Sequence, residues 1–99
     1  MNTLPAIARS GMSAARTSLG ASAHNIANLG TPDFRRQGVS RAELASGGVT
    51  ARVERATTPG HAPEADVVAQ LSARNEFLAN LAVFRASDAM TGTLLSLRA

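Results

Sequence analysis

Apolar positions recur at helical intervals at both ends of this chain and alternate only in its middle. From Leu4 to Leu29, residues Met12, Ala15, Leu19, Ser22, Ile26 and Leu29 follow one another in steps of three and four. That is a heptad-like seam in which small residues, Ala15 and Ser22, separate large ones. Thr3 suits the N-cap, and Pro5 falls in the first turn, where its missing N–H is not needed. From Glu64 to Leu97 a second, longer helix is predicted, with Glu64 and Asp66 in its first turn favouring the helix dipole. Val68, Leu71, Leu78 and Ala82 form one stripe on it, and Phe77, Leu81 and Phe84 a second. A helix that is apolar on more than one side needs more than one neighbour. Between the helices, Val49, Ala51 and Val53 alternate with Thr50, Arg52 and Glu54, as in a half-buried strand. Val39 to Leu44 supplies an opposing strand, with Ala45-Ser46-Gly47-Gly48 as the turn. A lone hairpin is not stable in water, so it must lie on a helix or on another subunit.

Glycine and proline punctuate this pattern. Gly30 is placed to take the left-handed position that ends the first helix, and Pro32 prevents its resumption. Thr31-Pro32-Asp33-Phe34 reads as a turn with Pro second, and Asp33 in third place favours type I. Asn25 and Asn28, three apart on the last helical turn, are suited to local capping or to bonding a neighbouring chain, with capping the simpler expectation. Gly11 and Gly20 each cost the helix about 1 kcal/mol relative to Ala, a cost usually accepted where another backbone comes close. Thr57 to Pro63 reads as a linker. The expected organisation is a single mainly α domain: a helix over 4–29, a turn, short hairpin and linker over 30–63, and a helix over 64–97, with the two long terminal helices packed as an antiparallel coiled coil.

Composition sharpens this. The chain has 99 residues, no cysteine and three Phe as its only aromatics. A chain this short is marginal on its own without a staple or a partner, and disulfides and thiolate metal sites are ruled out. Its apolar residues are dominated by Ala, which allows close helix approach but buries little area. The net charge is +3, carried by ten Arg and no Lys, and these are scattered apart from Arg35-Arg36. That spread lacks the dense basic stripe and interleaved aromatics of a nucleic-acid binder. No apolar run approaches the ~20 residues of a membrane span, and the N-terminus has no secretory signal pattern.

Catalytic chemistry is not apparent. His24 and His61 lie far apart with no partner at metal-ligand spacing. The serines of the first helix have no nucleophile elbow, and the glycines belong to no phosphate-cradling loop. No enzyme, cofactor or metal is expected.

The two ends carry a resemblance. Ala14-Ala15, Leu19, Ala23, Asn25-Ile26-Ala27-Asn28, Thr31-Pro32 and Phe34-Arg35-Arg36 resemble the N-terminal signature of bacterial flagellar rod and hook proteins. Ala73-Arg74-Asn75-Glu76-Phe77-Leu78-Ala79-Asn80, then Ala86-Ser87-Asp88-Ala89-Met90 and Thr93-Leu94-Leu95, look like that family's C-terminal motifs. The chain departs from the pattern where Asp33 replaces a usual Gly and where Phe34 and Phe77 replace Tyr. Its middle is far shorter than in most members, so the likeness is greatest to a short proximal-rod subunit.

The resemblance implies a structural subunit of the flagellar basal-body rod. It would leave the cytoplasm through the flagellar type III export apparatus without a cleaved signal, and polymerise through its terminal helices in the periplasmic part of the flagellum. Its partners would be copies of itself and other rod or hook subunits, with no nucleic acid and no membrane span. The implied assembly interface is Ile7, Met12, Leu19 and Ile26 from the first helix and Leu71, Phe77, Leu78, Leu81, Phe84, Leu94 and Leu95 from the second. Asn25, Asn28, Thr31, Pro32, Phe34 and Arg35 would form the motif turn. The competing expectation is a small cytoplasmic helical regulator or export chaperone that binds a partner helix. A rod paralogue with a changed role is a further variant.

Overall fold

A computed structural model describes residues 4–98, and the Thr3 N-cap expectation lies outside them. Helix α1 spans Leu4–Ala27, strands β1 and β2 span Gln37–Glu43 and Val49–Arg55, and helix α2 spans Pro63–Arg98. The helices run antiparallel: Asn25 near the end of α1 meets Asp66 at the start of α2, and Gly11 lies against Asn80. The strands form an antiparallel hairpin, Gln37 opposite Arg55 and Glu43 opposite Val49, which packs on α1.

The seam between the helices differs from the one predicted. On α1 it runs through Ala8, Gly11, Ala15, Ser18, Ser22 and Asn25, all buried or half-buried and spaced alternately three and four apart. Ala15 and Ser22 belong to it, but Leu19 and Leu29 are exposed. On α2 the facing residues are Asp66, Gln70, Ala73, Phe77, Asn80, Phe84 and Ser87, again in alternating steps. This 3.5-residue repeat is that of a coiled coil, yet the fully buried positions are small or polar. The buried apolar side chains among the described residues are Ala8, Ala14, Ala15, Ala21 and Ala73. At mid-seam the space opposite Gly11 is taken by the Asn80 side chain, since a Cβ on Gly11 would lie 2.5 Å from Asn80 Oδ1, and the large seam residues Phe77 and Phe84 are only half-buried. What comes close at Gly11 is thus a side chain, where the sequence suggested another backbone, and at Gly20 an added Cβ meets nothing within 4 Å.

The exit from α1 also departs from expectation. Regular helix stops at Ala27, and the chain continues in tighter turns, with Leu29 N–H donating to Ile26 O and Thr31 N–H to Asn28 O. Gly30 is not left-handed. Among the described residues positive φ is confined to Gly47, Gly48 and Asp33, the last at 56°. Asp33 thus takes the conformation a type II turn gives its third residue, not that of type I. Asp and Asn tolerate this region better than other non-glycine residues, at roughly 1–2 kcal/mol.

Helix α2, at ~1.5 Å per residue, accounts for most of the 62 Å longest dimension. The Asn25–Asp66 register carries Leu4 to the level of Ser87. Beyond that level α2 continues with Met90, Leu94, Leu95 and Leu97 all more than half exposed.

Candidate functional site: a polar junction and an apolar outer face

Three chain segments meet at Asn25, which is 1% exposed. Its Nδ2 donates to Gln37 O at 2.8 Å and to Asp66 Oδ1 at 2.9 Å, and its Oδ1 accepts from Gln37 N–H at 2.7 Å. The amide thus behaves as one more peptide group at the start of β1 while also holding α2. Arg36 completes the junction, its Nη2 donating to Asp66 Oδ1 at 2.6 Å and its Nε to Oδ2 at 3.3 Å. Asp66 is nearly fully buried. Burial pushes its carboxyl pKa up, but hydrogen bonds from Arg36 and Asn25, together with the charge of Arg36, outweigh this and hold it below the ordinary value. Among the described residues, every buried side-chain polar atom has a partner. Asn25 therefore does not cap its own helix as expected; Asn28 does, donating from Nδ2 to His24 O at 2.8 Å and accepting from Thr31 Oγ1 at 2.9 Å.

The segment after the turn is fixed from both sides. Phe34 O accepts from Gly60 N–H, and Arg36 O from Ala56 N–H. The Phe34 ring lies between His24, centroids 5.5 Å apart, and His61, stacked at 5.9 Å. Pro32 and Arg35 are exposed. A second tie crosses the middle of the molecule: Arg41 on β1 donates to Glu76 on α2 at 2.7 Å and to Ser18 Oγ on α1 at 3.0 Å. The hydrogen bond from Arg41 holds the Glu76 carboxyl below its ordinary pKa against the effect of burial. At the hairpin turn, Ser10 Oγ accepts from Val49 N–H at 3.1 Å. A Cβ on Gly48 would reach that oxygen at 2.7 Å, so the glycine is needed there for space as well as for its φ of 95°.

The residues expected at an assembly interface divide into two groups. Met12, Ile26, Phe77, Leu81 and Phe84 are half-buried within the chain. Ile7, Leu19, Leu71, Leu78, Leu94 and Leu95 are exposed. Leu71 and Leu78 are 56% and 47% exposed, and with Val68, 66% exposed, they line the side of α2 turned away from α1. Val68 follows Asp66 by two residues, or about 200° round a helix, which places this stripe opposite the inner seam. Asp66 is the residue that the pattern concealed, and Asn25, expected in the motif turn, has a joining role there that the pattern did not show. A polar residue at seam spacing with Ala15 and Ser22 was the available signal, since only a bonded Asn or Asp persists at such a position.

Among the described residues no group of three His, Cys, Asp or Glu is placed to hold a metal ion, and no helix is long and apolar enough to cross a membrane. No family model matches the chain, and no curated protein matches it.

Proposed function

We propose that this chain is a structural subunit of a bacterial flagellar basal-body rod, exported through the flagellar type III apparatus and polymerised through its helices in the periplasm. The observation that carries the reading is the outer face of α2. Val68, Leu71 and Leu78 present large apolar side chains to water on the side opposite α1, while the fully buried positions of the seam with α1 are small or polar. Such a face has its partner outside the chain. The signature residues add a second support. Asn25 of the Asn-Ile-Ala-Asn run joins α1, β1 and α2, so the motif sits where an assembling subunit needs a fixed angle between its helices and its hairpin.

Mass spectrometry of hook–basal bodies purified from the native cell tests this. Stoichiometric presence of the polypeptide is expected. Its absence from intact basal bodies, with abundant protein in the cytoplasm, overturns the rod reading and favours a cytoplasmic helical regulator that uses the same stripe. Leu71→Asp is the matching variant, expected to abolish motility while expression and export persist. It is cleaner than Leu81→Asp, because Leu81 is half-buried inside the chain.

A further inference from the structure

The hairpin reaches the two helices in different ways. Both strands pack their backbones on α1, but no Cα of β1 comes within 8 Å of one in α2, and side chains alone span that gap. The edge of β1 that borders the gap has open main-chain groups. Leu44 N–H donates to Gly48 O and Ala56 N–H to Arg36 O, so with Gln37 opposite Arg55 the even-numbered residues of β1 bond to β2. In an antiparallel pair the alternate residues then point their N–H and C=O groups away from the partner strand. On β1 these are Gln37, Val39, Arg41 and Glu43. The fold pairs the first of them: Asn25 donates to Gln37 O and accepts from Gln37 N–H, as a residue of a third strand would. The main-chain groups of Val39, Arg41 and Glu43 have no partner among the described residues. We propose that this edge takes a short extended peptide with a basic side chain, added beside β1 as a third strand.

The edge faces α2, because the Asn25 amide that meets Gln37 also holds Asp66. Further along, a cavity of about 490 Å³ lies between Glu43 and Leu44 of the hairpin, Ile7 and Gly11 of α1, and Glu76 and Asn80 of α2. That is within the roughly 300–1,000 Å³ of ligand clefts. Its unused polar groups are acceptors. Asn80 Nδ2 is bonded to Glu76 O, while its Oδ1 has no donor among the described residues. Glu43 has no ion-pair partner among them, and the cation of the lining, Arg41, is already bonded to Glu76 and Ser18. Glu43 and Glu76 against Arg41 leave one negative charge, so the complementary side chain is Lys or Arg, whose aliphatic stem suits Ile7 and Leu44. The main chain of the peptide supplies the affinity and its basic side chain the selectivity. A second copy of the chain is a poor occupant. Its strands already lie on their own α1, and it would bring that helix with them into the gap.

The proposal is independent of the rod reading and is tested on the purified, isotope-labelled chain by amide NMR. The probe is the capped pentapeptide threonine-valine-lysine-valine-threonine. Saturable shifts are expected at the amides of Val39, Arg41 and Glu43, with a Kd on the order of 1 mM for so small a contact. None is expected at Ala51 and Val53, on the far edge of β2. The peptide with glutamate in place of lysine is expected to bind at least about fivefold more weakly, and Glu43→Gln to narrow that preference to about twofold. Glu43 is exposed, so this variant retains the fold, which circular dichroism checks. The fully N-methylated lysine peptide has no N–H to offer the edge and is expected not to bind. Absence of shifts at Arg41 and Glu43 at about 10 mM lysine peptide, ten times the expected Kd, overturns the proposal. Equal binding of the N-methylated peptide, an equal response at Ala51 and Val53, or equal affinity for the lysine and glutamate peptides also overturns it. Shifts of the same amides with chain concentration, without peptide, would give the edge to a second copy and overturn it too. Whether the chain is found in basal bodies leaves each of these outcomes unchanged.

Discussion

The two faces of α2 invert the usual distribution of side chains. The face against α1 carries Asp66, Ala73, Asn80 and Ser87 at its most buried positions, spaced at intervals of seven, while the face against water carries Val68, Leu71 and Leu78. The inner face relies on shape and hydrogen bonds. Small residues let the helices close up, and the polar ones are each bonded. It buries little apolar area, so its contribution to stability is modest, but it permits a single register. The outer face is the reverse, with ample apolar area and no partner within the chain. A chain built this way is specified internally by polar groups and leaves its large apolar side chains on the surface.

Breaking the inner face has the largest expected effect. Asn25→Ala removes three hydrogen bonds and leaves the N–H and C=O of Gln37 and one bond of Asp66 unmet, at an expected cost of about 3 kcal/mol. Urea denaturation followed by circular dichroism measures this, and a change below about 1 kcal/mol would mean that the junction does not organise the fold. Enlarging the seam is next. Ala73→Leu is expected to cost roughly 2 kcal/mol by overpacking, although Leu is as good a helix former as most.

Acid weakens the same face. The Asp66 pKa is depressed in the folded chain, so the stability this group contributes is fully present above its unfolded value and is lost as pH falls through the folded one. Glu76, depressed by Arg41, acts in the same direction. Stability measured from pH 6 downward should therefore fall below about pH 4, near and below the ordinary carboxylate range. The fall should be shallower in Asp66→Asn, whose overall stability is lower but whose residue 66 no longer titrates.

Two substitutions probe the contrast within one helix. Gly20→Ala, with open space around it, is expected to stabilise the monomer by about 1 kcal/mol. Gly11→Ala gains the same propensity but must displace the Asn80 amide from its bond to Glu76 O, so it should be neutral or destabilising in the same melting experiment. The smallest effect belongs to the outer face: Leu71→Ser should change monomer stability by no more than about 0.5 kcal/mol. A larger loss would show that the stripe is not free in the single chain.

Periodicity, punctuation and composition were sufficient to determine two terminal helices, a hairpin between them with its turn at Ala45 to Gly48, and more apolar surface on the second helix than one neighbour covers. These are local or additive properties, readable from spacing alone. Which stripe of each helix turned inward was not. An apolar stripe ordinarily points to the core, and here Leu19, Leu71 and Leu78 point away from it, while the inner seam is taken by Ala, Gly, Ser, Asn and Asp together with half-buried Phe77 and Phe84. Nor did spacing place Asn25 against Gln37 and Asp66, residues 12 and 41 positions away. An amide has the same local options at a helix end whether it caps that helix or joins three segments. Asp33 makes the same point in the backbone, where a residue expected in a type I turn has a φ of 56°. Register, the buried polar junction and the choice of inner face depend on groups distant in sequence that satisfy one another only once the helices have met, so the tertiary structure alone decided them.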